Sequence, residues 1–339
     1  MAEPRKQNIG IQNFLFLILC GCLYSGCKAQ KTYGDDNLVL EKSIPLPGVS
    51  GRIDHMDVNL KDGIVYIAAL GNNSLEIVDI NKGRVLHSIK SLYEPQGVAY
   101  IQQQEEIFVA NGGNGDCYFY NAKNFQKTAT IHLSSDADDV RYDSASERIY
   151  VGYGDGGISV IDASKHLQIK DIKLPGHPEG FQLDKQLNKL FVNVPDAHQI
   201  AVINLLESKL ISKWSTGIFR ANFPVAIDTT HHNLFIGYRH PAKLVVIDEN
   251  TGNILNRSDL VTDVDDLYFD ELDGKVYASG GGGFISIYKW WDSSLEQIAN
   301  IATKTGARTS LLIPEFKLFI LAERANGNMS AQLQIYKTK

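Results

Sequence analysis

Seven short apolar segments, each centred on an aromatic residue, recur along the chain at Tyr66, Phe108, Tyr150, Phe191, Phe235, Tyr277 and Phe319. Their spacings are 42, 42, 41, 44, 42 and 42 residues. A unit of about 40 to 45 residues that holds four short strands is the sequence signature of a β-propeller blade. The third unit shows the pattern plainly. Asp138 to Asp143, Arg148 to Tyr153, Ile158 to Asp162 and Leu167 to Leu174 are rich in β-branched and aromatic residues, and Gly, Asp and Ser punctuate them. Asp79, Asn121, Asp162, Asn204 and Asp248 each close the third strand of a unit, where a short side chain that bonds its own backbone favours a turn.

The last unit, from Ala307 to Lys339, has room for only three strands. The fourth is expected from the other end of the chain. There Leu40 to Gly48 echoes the segment Leu167 to Gly176, including the shared Leu-Pro-Gly ending. The expected fold is therefore all-β: one seven-bladed propeller over residues 38–339, its ring closed by the N-terminal strand in the last blade. Such closure leaves few strand edges open to other chains.

Ahead of the propeller, Arg5 and Lys6 precede an apolar stretch from Phe14 to Leu19, and small residues lead to Cys27. This order reads as an export signal over 1–27, followed by a linker over 28–37. The apolar stretch is shorter than the roughly 20 residues a spanning helix needs. Ser25-Gly26-Cys27 resembles a bacterial lipoprotein cleavage box, with Leu19-Cys20-Gly21-Cys22 as the alternative, so Cys27 is the expected lipidation site. The expected location is the periplasm or the cell surface, with membrane contact through the lipid alone. Cleavage would remove Glu3, Arg5 and Lys6, taking the formal charge from −6 to −7. That acidity argues against nucleic-acid binding. It also leaves Cys117 as the sole internal thiol, read as a small buried apolar side chain in a strand.

The mature chain resembles the YncE-like, YVTN-repeat β-propeller proteins of bacteria. The resemblance is carried by Arg52-Ile53-Asp54-His55, Glu94-Pro95-Gln96-Gly97, Asp136 to Asp143, Val194-Pro195-Asp196, Asn222-Phe223-Pro224 and Ala307-Arg308-Thr309-Ser310. It implies export and a binding or scaffolding role, and it implies no particular reaction.

In a propeller, residues just before the first strand of each blade and just after the second converge on one channel mouth. Before the first strands stand nine acidic residues, three arginines and two histidines, among them Arg52, Asp54, His55, Asp138, Asp139, His177, Glu179, Asp265, Asp266 and Arg308, together with the amides Gln96 and Asn222. Asn111 follows a second strand. These thirteen are the candidate ligand-binding residues. Asp, Asn and His are also what tight inter-blade turns use, so each has a structural alternative. Converging carboxylates favour a bound cation, a protonated amine or an arginine partner, and Arg52, Arg220 and Arg308 are the candidate internal partners.

His55, His177, Asp54 and Glu179 could supply N and O donors to a divalent metal, although no tight ligand motif joins them. Two functions are weighed. One is a monomeric binding or scaffolding propeller for a small molecule, cation or protein partner. The other is a lactonase- or lyase-type enzyme with Arg52, His55, His177, Glu179 and Arg308 as acid, base and oxyanion-stabilising groups. Trp290-Trp291 is expected on the outer surface of the ring. Gly280 to Gly283 lacks the Lys-Ser/Thr of a phosphate loop and reads as a turn.

Overall fold

The structure, a computed structural model, describes residues 1–2 and 37–339. The expected export signal with Cys27, and the linker up to residue 36, lie outside the described residues. Alternating short strands and tight turns build seven four-stranded antiparallel sheets. Blade 1 comprises β2 (Met56–Asn59), β3 (Ile64–Ala69), β4 (Ser74–Asp79) and β5 (Arg84–Lys90). Blade 2 has β6 (Pro95–Ile101), β7 (Glu106–Asn111), β8 (Asp116–Asn121) and β9 (Lys127–His132). Blade 3 has β10 (Ala137–Asp143), β11 (Arg148–Tyr153), β12 (Gly157–Asp162) and β13 (Leu167–Lys173).

Blade 4 has β14 (Phe181–Asp184), β15 (Lys189–Val194), β16 (Gln199–Asn204) and β17 (Lys209–Ser215). Blade 5 has β18 (Arg220–Asp228), β19 (Asn233–His240), β20 (Ala242–Asp248) and β21 (Ile254–Asp259). Blade 6 has β22 (Val264–Asp270), β23 (Lys275–Gly280), β24 (Phe284–Trp291) and β25 (Ser294–Ala302). Blade 7 joins β26 (Ser310–Ile313), β27 (Leu318–Glu323) and β28 (Ala331–Thr338) to β1 (Leu38–Leu46) from the start of the described chain. The register runs from Leu38 opposite Thr338 to Leu46 opposite Ala331.

The seven phased aromatics sit on the second strands and are all buried. Tyr66 faces Ile77 across its sheet and Phe108 faces Phe119, so each strand pair turns large apolar side chains towards the neighbouring blade. The core is accordingly a set of seven seams, each shared by two adjacent blades. The closing seam carries Ile44 and Leu46 of β1 together with Ile320 and Leu333 of blade 7 and Val65 and Ile67 of blade 1. Cys117 is free and buried in its seam, and burial pushes its thiol up. Trp290 departs from expectation. It is buried edge-on against Phe235 in the seam of blades 5 and 6, and only Trp291 is exposed on the outside.

Candidate functional site

The first strands of the blades surround a central cavity of about 1030 Å³, lined from Arg52 and Gln96 at one end to Lys61 and Ser144 at the other. Successive first strands approach closely at the mouth. A Cβ on Gly97 would lie 2.0 Å from the Asp138 carbonyl oxygen, and one on Gly180 would lie 2.6 Å from that of Phe223, so only glycine fits at either place. β-Bulges interrupt the pairing of β6, β10, β18 and β22 near their starts. The irregularity in β10 spans Ala137 to Val140 and that in β22 spans Val264 to Asp266. Asp138, Asp139 and Asp265 therefore leave the regular in-out alternation and can face the channel axis.

Three carboxylates along the wall tie blades 1 to 2, 3 to 4 and 6 to 7. Asp57 accepts a hydrogen bond from Tyr100 N at 2.6 Å, Asp139 from Phe181 N at 3.2 Å, and Asp266 from Ser310 N at 2.6 Å. Gln182 links blades 4 and 5 in the same way, donating to Val225 O at 3.1 Å. Arg141 pairs with Asp139 along the same strand, β10. Of these residues the sequence offers only Asp139 and Asp266 as site candidates, because Asp57, Arg141 and Gln182 lie inside the first strands rather than just before them. The available signal was the polar side chains inside those strands: Asp57, Tyr100, Arg141, Gln182 and Tyr268.

Other charged groups at the mouth also find partners. Asp265 bridges two arginines, with Arg239 Nη2 at 2.6 Å and Arg308 Nε at 3.0 Å, and Asp263 lies 2.9 Å from Arg308. Arg239 also lies over the Phe223 ring, 4.0 Å from its centroid. Asp138 stands between two histidines, with His55 Nε2 3.6 Å from Oδ1 and His177 Nε2 3.7 Å from Oδ2. His177 Nδ1 is 2.6 Å from the Gly154 carbonyl oxygen, which requires the proton on that nitrogen. Burial alone would push Asp138 up, but the His177 and His55 imidazoles on either side hold it well below the usual carboxylate range. Burial opposes charge on His177, yet Asp138, the Gly154 carbonyl and Asp136 carry it up to about 9. Burial likewise opposes charge on His55, and Asp138, Asp139 and Asp54 pull it well above its ordinary value.

Other carboxyls remain short of positive charge. Burial raises Asp54 to about 6, with Asp138 and Asp265 adding repulsion that His55 and Arg52 only partly offset, although Arg52 Nη2 lies 2.7 Å away. Asp266 rises to about 7 through burial and the charge of Asp265. Glu179 is the extreme case. Burial first, then repulsion from Asp138, pushes it up to about 8 against the pull of His177 and Arg239. Among the described residues no group donates a hydrogen bond to its carboxyl.

Of the thirteen expected site residues, eleven line the cavity. Asn111 and Asn222 do not. Asn111 spends its amide on Tyr93 N and Asp116 O, and the Asn222 amide nitrogen donates to Asn193 Oδ1 and Gln199 O. Arg220, expected as an internal partner, donates instead to the loop carbonyls of Gly217 and Phe219, and Arg239 takes its place. Of the four residues weighed as metal ligands, His55, His177, Asp54 and Glu179, no three form a cluster with donor atoms all within 4.8 Å of one another. Among the described residues that spacing is met by Asp184, His232 and Glu249, away from the channel.

Fold and site together define a seven-bladed β-propeller with an acidic, arginine-laced central channel. No family model matches the chain, and no curated protein matches it in sequence. In structure it is similar to a chain of a mitotic checkpoint complex, with a TM-score of 0.76 at 14% identity, covering 97% of this chain and 99% of that one. It is also similar to the RRP9 WD40 repeats, with a TM-score of 0.76 at 9% identity, covering 91% and 99%. Kuenenia stuttgartiensis hydrazine synthase gives 0.75 at 13% identity, covering 92% and 98%. At these identities the likeness shows the propeller fold alone.

Proposed function

We propose that this protein is a binding propeller whose channel mouth takes a cationic ligand, a protonated amine or a guanidinium group on a small molecule or at the tip of a protein segment. The observation that carries the reading is Glu179. Its carboxyl faces a cavity, lacks a hydrogen-bond donor among the described residues and rises to about 8. Asp138 and Asp265 repel it, and the arginines that could relieve it are already bridged to Asp263 and Asp265. An incoming cation would supply the missing charge and donors. Buried carboxylates that accept charged donors give stronger hydrogen bonds than neutral pairs do.

We further propose that the chain is exported and held at the envelope by lipid on Cys27, related in role to the YncE-like propellers it resembles. An acid–base enzyme of lactonase or lyase type is the second reading. It draws on the opposite displacement of two neighbouring carboxyls, Asp138 held low and Glu179 raised, a pairing that lets one group act as base and the other as acid. Thermal-shift screening separates the two. Diamines and guanidinium compounds should raise the melting temperature of the wild type and do so less in Asp54→Asn. Stabilisation by lactones or carboxylates alone would favour the enzyme reading and overturn the first.

A further inference from the structure

One residue at the end of the third strand, or just after it, occupies the same place in every blade, fixed by a backbone hydrogen bond from its N–H to the turn between the first two strands. In blade 5 this bond runs from Glu249 N to His232 O at 3.0 Å. The equivalent residues are Ile80, Ala122, Ala163, Leu205, Trp290 and Thr338. Six blades therefore put an uncharged, mostly apolar side chain here, and blade 5 buries a carboxylate with no exposed surface. Burying a carboxylate is costly unless it is paired or coordinates a metal, so Glu249 calls for a partner.

The surroundings supply one half of that partnership. Asp184 ends β14 in blade 4 and is also fully buried, and His232 sits in the turn of blade 5. One oxygen of each carboxylate is accounted for: Asp184 Oδ1 accepts from Leu187 N at 2.9 Å, and Glu249 Oε1 lies 2.5 Å from His232 Nδ1. The other oxygens, Asp184 Oδ2 and Glu249 Oε2, are buried without a hydrogen-bond partner. Lys189 donates to the Glu249 carbonyl at 3.4 Å rather than to either carboxylate, and Asp248 caps its own turn through Asn250 N and Thr251 N.

We propose that Asp184, His232 and Glu249 form a divalent-cation site of the zinc class that staples blade 4 to blade 5. One imidazole and two carboxylates, with donor atoms all within 4.8 Å of one another, match the N/O donor set that zinc takes from three protein ligands. Contacts of about 2.0–2.2 Å would need the side chains to close inwards slightly. His232, whose side chain is 39% exposed, provides the way in from solvent.

The test uses the full chain, freed of metal by chelator and titrated with Zn²⁺, with calorimetry for stoichiometry and melting temperature for stability. One Zn²⁺ per chain and a higher melting temperature are expected. Glu249→Leu, which installs the residue that blade 4 has at this place, should abolish both while folding at least as stably as the metal-free wild type. His232→Ala should abolish zinc binding as well, and it carries the test if Glu249→Leu does not fold. Glu179→Gln, in the channel, should keep the zinc response. A wild type that binds no zinc, or a response that survives both seam variants, would overturn the site and leave a shared proton as the occupant of the carboxylate pair.

Discussion

Replacing Glu179 by Gln should make the protein more stable, and the gain should grow with pH. The unfolded chain releases the Glu179 proton near 4.5, whereas the folded chain holds it until about 8. Between those values the folded state carries a proton that the unfolded state has lost, so rising pH costs the wild type stability. At pH 7 the gap of about 2.5 units corresponds to roughly 3 kcal/mol at 1.36 kcal/mol per unit, an upper bound because solvent reaches the cavity. Above pH 8 both states are ionised and the penalty stops growing. Gln keeps the shape of the neutral acid and has no proton to lose. The difference between variant and wild type should therefore be small near pH 4.5 and reach several degrees of melting temperature at pH 7, at about 2 °C per kcal/mol for a domain of this size. Scanning calorimetry at pH 4.5, 7 and 9 measures it. A variant no more stable than the wild type at pH 7 and 9 would show that Glu179 already has its partner, and the argument for a missing cation would fail.

The ring closure, the arginine bridge and the anchor each give a further test. Deleting Leu38–Leu46 removes the buried side chains Leu38, Ile44 and Leu46, each worth about 1.5–3 kcal/mol, and opens the edge of β28, so urea denaturation should show a loss above 5 kcal/mol or no folded protein. An unchanged midpoint would remove the closure argument. Arg239→Ala strips Asp265 of one of its two partners and uncovers Phe223, so it should cost about 2–4 kcal/mol, while Arg220→Ala, at an exposed residue on loop carbonyls, should stay within about 0.5 kcal/mol. Equal effects in denaturant titration would contradict the assignment of Arg239. Cys27→Ser should move the exported protein from the membrane to the soluble fraction, and release by Cys22→Ser instead would relocate the anchor.

The architecture was legible because a blade is a local unit. The phased aromatics from Tyr66 to Phe319 mark second strands whatever the rest of the chain does, and the shared Leu-Pro-Gly ending exposed the N-terminal segment as a fourth strand. The partners within the channel were harder to read. Arg220 and Arg239 are both polar residues at the mouth of blade 5, and nothing local tells which one reaches Asp265, because that depends on the approach of blade 6 across the seam. The amides of Asn111 and Asn222 likewise look free in sequence, yet Asn111 spends its amide on neighbouring backbone and the Asn222 nitrogen is taken by Asn193 Oδ1 and Gln199 O. Glu249 could have been found by aligning the blades, since the residue after the third strand is Ile80, Ala122, Ala163 and Leu205 in the first four. Asp248 beside it caps its own turn, a role that repeats in other blades and masks the carboxylate next to it.

The central claim, that the mouth awaits a positive charge, is tested most directly by calorimetric titration of agmatine, which carries both an ammonium and a guanidinium group, at pH 7 in two buffers of different ionisation enthalpy. The account predicts saturable binding with release of up to one proton from Glu179, and no such release in Glu179→Gln. Absence of binding, or binding with proton uptake, would contradict it.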